Sequence, residues 1–186
     1  MRLSDEQYEH IKQTVSDTFE EYDIKCIPIN VFEMALKMNL KVIPYSVLDD
    51  EKKKAALKIS EDGFLLGTSD YEWRIYYNDV CRSYGRISQT IMHDIGHYAL
   101  GHSDKGEEEE AEAKFFAKYA LAPPPLIHNM SEKITIENLQ NRFDISHQAA
   151  TYAYSYYKKW LNHGMKDYTG YELKILDLFE DVCDCM

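Results

Sequence analysis

The chain has 186 residues, of which 45% are apolar and 28% charged, which is typical of one domain or of one domain with a short appendage. Its formal net charge of −11 argues against a general nucleic-acid binder, because contacts to phosphates rely on a basic surface. The amino terminus lacks the apolar core of a secretory signal and no apolar run is long enough to cross a bilayer, so we expect a soluble cytoplasmic protein.

The first part of the chain is predicted to hold two helices and a small sheet. Apolar residues recur at helical spacing over residues 6–22, and Pro28 with Asn30 marks the start of a second helix at about 31–40. Four short segments follow, at 41–43, 55–59, 63–67 and 73–78, separated by turn residues. We interpret these segments as a small antiparallel meander.

The rest of the chain is predicted to be helical. One helix begins at Ser88 as its N-cap and ends at Gly101, and a second covers 111–121 and stops before Pro123. Segments 136–142 and 146–157 predict two helices with a break between them, and 171–182 predicts a last amphipathic helix. The four cysteines form no regular framework, so in a reducing compartment we expect mostly free thiols.

A candidate metal motif lies in the helix that begins near Ser88. His93 and His97 are four residues apart, so on a helix both imidazoles share one face and can share one ion. With seven histidines in the chain, about 0.26 such pairs are expected by chance, and about 0.04 when an acidic residue must follow the first. The alternative is a buried helix whose histidines bond to backbone carbonyls or water.

A catalytic metal site needs a third protein ligand and one open position. The following helix offers five carboxylates: Glu107, Glu108, Glu109, Glu110 and Glu112. Glu110 shares a helical face with Ala113 and Ala117, whose small side chains permit the close approach that a ligand bond requires. Glu110 is therefore the preferred ligand, with Glu109 and Glu112 as alternatives, and the other two read as a solvated charge cluster. Zinc is the expected ion, although manganese or iron would also accept these ligands.

The residues that carry this motif also carry a family resemblance. The stretch from Arg86 through His93-Asp94-Ile95-Gly96-His97 to Glu110-Ala111-Glu112-Ala113 and Pro123 resembles the ImmA/IrrE family of metallo-endopeptidases, over about residues 24 to 160. The resemblance implies an α+β, zincin-like fold, zinc ligands at His93, His97 and Glu110, and a general base at position 94. Family members are HExxH zinc peptidases encoded largely by bacteria and their mobile elements, and the characterised ones act on a repressor protein.

We therefore expect a zinc-dependent endopeptidase that cleaves a regulatory repressor. Two residues depart from the family pattern: Asp94 replaces the usual Glu, and Lys114 stands where Asn or Asp is common. Aspartate is shorter by one methylene, and a general base must lie within about 3 Å of the water it deprotonates. The first alternative is therefore a catalytically silent zinc-binding relative that binds a repressor or another protein partner.

Three further features complete the predictions. Segment 73–78 is either an edge strand to which an extended substrate adds or an ordinary half-buried strand, and His102 either supports a ligand or lies at the surface. The helices at 136–157 resemble a helix-turn-helix, so a DNA-binding regulator is a further alternative, although the many Ala and Tyr residues favour packing or a protein contact. The predicted domains are a zincin-like domain at 1–128, a helix-turn-helix-like module at 129–165 and a carboxyl-terminal helix and tail at 166–186.

Overall fold

The fold is α+β, as predicted. The computed structural model describes residues 2–68, 72–80, 83–103, 106–162 and 167–180. Its strands are β1 (Lys41–Pro44), β2 (Gly63–Gly67) and β3 (Trp73–Tyr77), and a 3-10 turn covers Tyr45–Val47. Its α-helices are α1 (Asp5–Glu21), α2 (Val31–Lys37), α3 (Asp50–Ile59), α4 (Tyr84–Ala99), α5 (Glu107–Leu121), α6 (Pro124–His128), α7 (Ile136–Phe143), α8 (His147–Asn162) and α9 (Gly170–Phe179).

The sheet is mixed rather than antiparallel, with strand order β1-β3-β2. β2 pairs antiparallel with β3, with Gly63 opposite Tyr77, but β1 runs parallel to β3, with Lys41 opposite Arg74. Parallel neighbours need a long crossover, and the connection that contains α3 and β2 supplies it. The prediction of an antiparallel meander is therefore wrong for β1. Of the two alternatives for 73–78, the edge strand is excluded because β3 lies between the other two strands, and the half-buried strand is the one observed.

The predicted strand at 55–59 is the second half of helix α3. Asp49 caps this helix by accepting a hydrogen bond from the backbone N–H of Lys52 at 2.8 Å. The residues that follow are good helix formers, and Ala56 alone is buried. Leu57 and Ile59 face solvent at 40% and 65% exposure, so the apolar run that resembled a buried strand is a surface feature.

Helix α4 begins one turn earlier than predicted. Ser83 is its N-cap, and Ser88, the predicted cap, is buried within the helix. Gly85 lies in the first turn, where a Cβ atom would come within 3.0 Å of the backbone nitrogen of Ser146. The glycine therefore permits a close approach between the start of α4 and the start of α8, and it does not mark a break.

One hydrophobic core joins most of the chain. It includes buried residues from α1, from the sheet, from the two helices that carry the motif and from the carboxyl-terminal helices, among them Phe19, Ile75, Ile91, Phe116, Phe143, Ala153 and Ile175. A smaller cluster of Tyr45, Ala56 and Phe64 lies beneath α3. Residues on both sides of the predicted boundaries at 128 and 165 therefore contribute to the same core.

One cysteine departs from the expectation of mostly free thiols. Cys26 is disulfide-bonded. Disulfide formation depends on the distance between two side chains in space, which the spacing along the chain does not report. The other cysteines, at positions 81, 183 and 185, lie outside the described residues.

The length and composition of the helices can be compared with what a membrane span requires. In the ranges that the structure describes, no helix combines the length and the apolar character needed to cross a bilayer.

Candidate metal centre

A close crossing of α4 and α5 builds the site. A Cβ atom on Gly96 would lie only 3.0 to 3.1 Å from three atoms of Phe116, so glycine at this position lets the two helices approach. On α5, Ala113 and Ala117 are fully buried. The small side chains that favoured Glu110 in the sequence do face the protein interior, and they bring the start of α5 next to the histidines of α4.

The crossing brings together His93, His97 and Glu110, the three predicted ligands. Nε2 of His93 lies 3.4 Å from Oε2 of Glu110, and Nε2 of His97 lies 3.3 Å from Oε1. The two imidazole rings have centroids 4.7 Å apart and are nearly perpendicular, at 88°. One ligand atom from each residue can be chosen so that all three lie within 4.8 Å of one another. This group could hold a metal ion.

The distances in this group are of the size that a shared ion requires. Bonds of about 2.0–2.1 Å to one tetrahedral ion hold neighbouring ligand atoms about 3.3–3.4 Å apart. The Nε2 atoms of His93 and His97 lie 3.4 and 3.3 Å from different oxygens of Glu110. Nε2 of His93 is buried and has no hydrogen-bond partner among the described residues. Buried polar atoms are normally satisfied, so this nitrogen is suited to a ligand that the protein itself does not supply.

The other glutamates occupy different positions. Glu112, an alternative ligand, accepts a hydrogen bond from Gln7 Nε2 at 2.9 Å and has its other oxygen 3.0 Å from His102. The carboxylate of Glu109, the second alternative, lies against Gly106 at the start of α5. Glu108 accepts a hydrogen bond from Gln7 and is exposed, in keeping with its prediction as a solvated charge.

His102 contacts His97, one of the predicted ligands, directly. Its Nδ1 lies 2.9 Å from Nδ1 of His97, and its side chain is 8% exposed. The end of α4 explains this position. Gly101 adopts a left-handed φ of 69°, and the backbone N–H of His102 donates to the carbonyl of His97 at 3.0 Å. These are the features of a Schellman motif, in which the second residue past the helix cap returns to the last turn.

Asp94, the predicted general base, is buried beside the predicted ligands at 2% exposure. Its Oδ1 lies 3.9 Å from Nδ1 of His93. Burial raises the pKa of the nearby Tyr45 phenol to about 12, and the charge of Asp94 contributes to the shift. Tyr45 therefore stays protonated at neutral pH and donates to the carbonyl of Ser60 at 3.0 Å.

A cleft of about 290 Å³ lies between the edge strand β2 and the site. It is lined by Leu65, Leu66, Gly67, Trp73, His97, His102 and Ser103. The segment that begins at Trp73 was one candidate for substrate binding, whereas β2 was not assigned to the site. Strand order cannot be read from the spacing of short apolar runs. The side chain of His97, one of the predicted ligands, thus forms part of a wall that faces apolar residues of the sheet.

Helices α7 and α8 occupy the segment that was predicted as a helix-turn-helix-like module. Its turn contains Asp144 with a left-handed φ of 48°. Two polar side chains at the start of α8 make contacts within this region. Ser146 Oγ accepts from the backbone N–H of Ala149 at 3.2 Å, and His147 lies 3.1 Å from Gln140. Contact of this pair with DNA stays a prediction.

Comparison with known proteins gives no further identification. No protein-family profile matches the chain, and no curated protein shows significant similarity to it.

Proposed function

We propose that this protein is a metal-dependent endopeptidase of the ImmA/IrrE type, with zinc as its ion and a regulatory repressor as its substrate. The observation that carries the proposal is the group of His93, His97 and Glu110, whose ligand atoms converge beside a cleft bordered by an edge strand. Two imidazoles and one carboxylate leave one position of a tetrahedral ion open, which is the ligand set of hydrolytic zinc sites.

Each residue has a distinct task in this proposal. His93 and His97 present neutral nitrogens from one face of α4, and Glu110 adds a negative charge from α5. When bound, the ion lowers the pKa of a coordinated water and polarises the peptide carbonyl. Asp94 accepts the proton of the attacking water and passes it to the leaving amine. Its burial at 2% exposure keeps this carboxylate away from bulk water.

The edge strand β2 is the proposed substrate platform. Its pairing with β3 occupies one side only, and among the described residues no strand pairs with its other side. An extended peptide that adds to a sheet edge gains backbone hydrogen bonds, and neighbouring pockets select its side chains. Leu65, Leu66 and Trp73 make the cleft wall partly apolar, so we expect preference for an extended segment with apolar side chains. This places the substrate on β2 instead of on the strand proposed from the sequence.

Asp94 also favours a second candidate, a metal-binding relative that recognises a repressor or another protein without cleaving it. Aspartate reaches about one methylene less far than glutamate. A misplacement of about 1 Å costs on the order of a hundredfold in rate. The two candidates share the metal and the cleft, and they differ in whether Asp94 transfers a proton.

Cleavage of a proteome-derived peptide library, read as new amino termini by mass spectrometry, tests the proposal. Zinc-loaded protein should produce specific new termini, and the His93→Ala and Asp94→Asn variants should not. Asp94→Glu should raise the rate if reach is limiting, by up to about a hundredfold. Metal content is measured in parallel by elemental analysis. If the wild type and Asp94→Glu both bind zinc and neither produces termini above the His93→Ala background, the non-cleaving candidate replaces the peptidase.

A further inference from the structure

A series of side-chain contacts connects His97 of the candidate metal group to residues further from the site. Nδ1 of His97 lies 2.9 Å from Nδ1 of His102, and Nε2 of His102 lies 3.0 Å from Oε2 of Glu112. The second oxygen of Glu112 accepts a hydrogen bond from Gln7 Nε2 at 2.9 Å. This series of contacts therefore connects α4, α5 and α1, and its residues are partly or fully buried.

The direction of each hydrogen bond can be worked out from the far end. Gln7 Oε1 accepts from the backbone N–H of Ser4 at 2.9 Å, so the amide nitrogen of Gln7 is the group that faces Glu112. A carboxylate has only acceptors, so Glu112 accepts from both neighbours. Nε2 of His102 must then carry a hydrogen.

The same reasoning continues into the site. A neutral imidazole has one N–H and one acceptor nitrogen, so Nδ1 of His102 accepts. Nδ1 of His97 must then be the donor in the 2.9 Å contact. Nε2 of His97, the atom 3.3 Å from Glu110, is left with a lone pair, which is the form that binds a metal ion.

We infer that Glu112 and His102 are positioning residues, which fix the tautomer and ring orientation of His97 so that its Nε2 lone pair faces the metal group. Glu112 acts through His102, and Gln7 holds the carboxylate in place. Groups that bond to the far nitrogen of a ligand histidine typically contribute 10- to 100-fold to metal affinity. Sequence spacing placed Glu112 among the possible ligands, whereas this inference gives it a different role.

The first test is the tautomer itself in the metal-free wild-type protein. Nitrogen chemical shifts from two-dimensional NMR, recorded at mildly alkaline pH, distinguish an N–H from an acceptor nitrogen in each ring. We expect the hydrogen on Nδ1 of His97 and on Nε2 of His102. A hydrogen on Nε2 of His97 in the uncharged form of the imidazole overturns the inference. This test does not depend on the proposed peptidase function or on any bound ion.

The second test rests on the proposed metal site and measures zinc affinity by competition with a chromophoric chelator. Glu112→Gln should weaken zinc binding about 10- to 100-fold, because the amide no longer dictates which nitrogen of His102 donates. Glu108→Gln is the matched control, since Glu108 also accepts from Gln7 at 2.6 Å but is not a partner of His102. Equal losses in both variants overturn the inference.

Gln7→Ala is a milder second variant if Glu112→Gln unfolds, and thermal unfolding of each variant checks the fold. Gln7→Ala should weaken zinc binding by less than Glu112→Gln, with the His97 tautomer shifted in the same direction. If the wild type binds no zinc, the proposed function fails, whereas the NMR result still decides the tautomer.

Discussion

Exchange of Glu110 for glutamine should have opposite effects on stability with and without metal. In the metal-free protein, the two carboxylate oxygens lie 3.3 and 3.4 Å from the Nε2 atoms of His97 and His93. The contacts behind His97 indicate a lone pair on its Nε2. If Nε2 of His93 also carries a lone pair, the carboxylate oxygens of Glu110 face two nitrogens that cannot donate to them. A glutamine amide has one NH₂ group and can donate to one of the two nitrogens.

The expected gain is small because only one new hydrogen bond can form. The separations lie slightly above the usual range and Glu110 is 35% exposed, so the bond contributes no more than about 1 kcal/mol. For a domain of this size, about 1 kcal/mol corresponds to roughly 2–4 °C in the unfolding midpoint. Metal-free Glu110→Gln should therefore unfold at the same temperature as the wild type or a few degrees above it.

With zinc bound, the wild type should unfold at a higher temperature than Glu110→Gln. An ion that binds only the folded state at a thousandfold excess over its Kd stabilises by about 4 kcal/mol, or roughly 8–16 °C here. The variant should lose most of that shift because it lacks the charged ligand. Glu109→Gln is the matched control, since it makes the same charge change one residue away, where the carboxylate lies against Gly106.

Differential scanning fluorimetry in chelator and across a zinc titration measures both effects. An equal zinc shift in the wild type and in Glu110→Gln would remove Glu110 from the ligand set. Destabilisation of the metal-free variant by well over 1 kcal/mol would show instead that the histidines are protonated and that Glu110 forms an ion pair with them.

Three further predictions concern the helix crossing, a buried phenol and the substrate platform. Gly96→Ala should weaken zinc binding because the added Cβ would lie only 3.0 Å from Phe116. The higher helix propensity of alanine, worth up to about 1 kcal/mol, should offset part of the loss in stability. An unchanged zinc Kd would contradict the role of this helix crossing. The pKa of Tyr45 is raised to about 12, so its contribution to stability is complete below the unfolded value near pH 10 and is lost as the pH rises toward 12. Urea midpoints should show a smaller alkaline loss in Tyr45→Phe than in the wild type, and parallel curves would refute the assignment. Leu66 is 46% exposed, so Leu66→Glu should change the free energy of unfolding by less than about 0.5 kcal/mol. The same variant should lower kcat/KM for apolar peptides. Unchanged peptide kinetics would remove β2 from substrate binding.

Periodicity predicted the long helices well and the sheet poorly. Helix α1 was predicted at 6–22 and covers Asp5–Glu21, because its buried residues recur with the helical period over several turns. The strands are four or five residues long, so they offer at most two repeats of an alternating pattern. Strand order and direction depend on contacts between distant segments. The apolar residues Leu57 and Ile59 led to the prediction of a strand, although both are exposed on a helix.

The candidate ligands could be predicted because each depends on local geometry. The spacing of His93 and His97 fixes their common face, and the small residues on α5 select Glu110. The contacts that support them involve longer distances in sequence. Gln7 and Glu112 are 105 residues apart, and no short-range pattern indicates that the start of α1 lies beside the start of α5.

His102 lies between these two cases. Its position five residues after His97 is off the ligand face of a continuing helix, so spacing alone leaves open whether it supports a ligand or lies at the surface. The helix does not continue, because Gly101 has a φ of 69° and the chain returns to His97 through a backbone hydrogen bond of 3.0 Å. A glycine after the last helical turn was recognised in the sequence as a stop signal, and the same motif brings the following residue back over that turn. The sequence Leu-Gly-His at the end of α4 therefore contains both the helix stop and the side chain that supports a ligand. Helix termination and support of the candidate metal group are consequences of one local conformation.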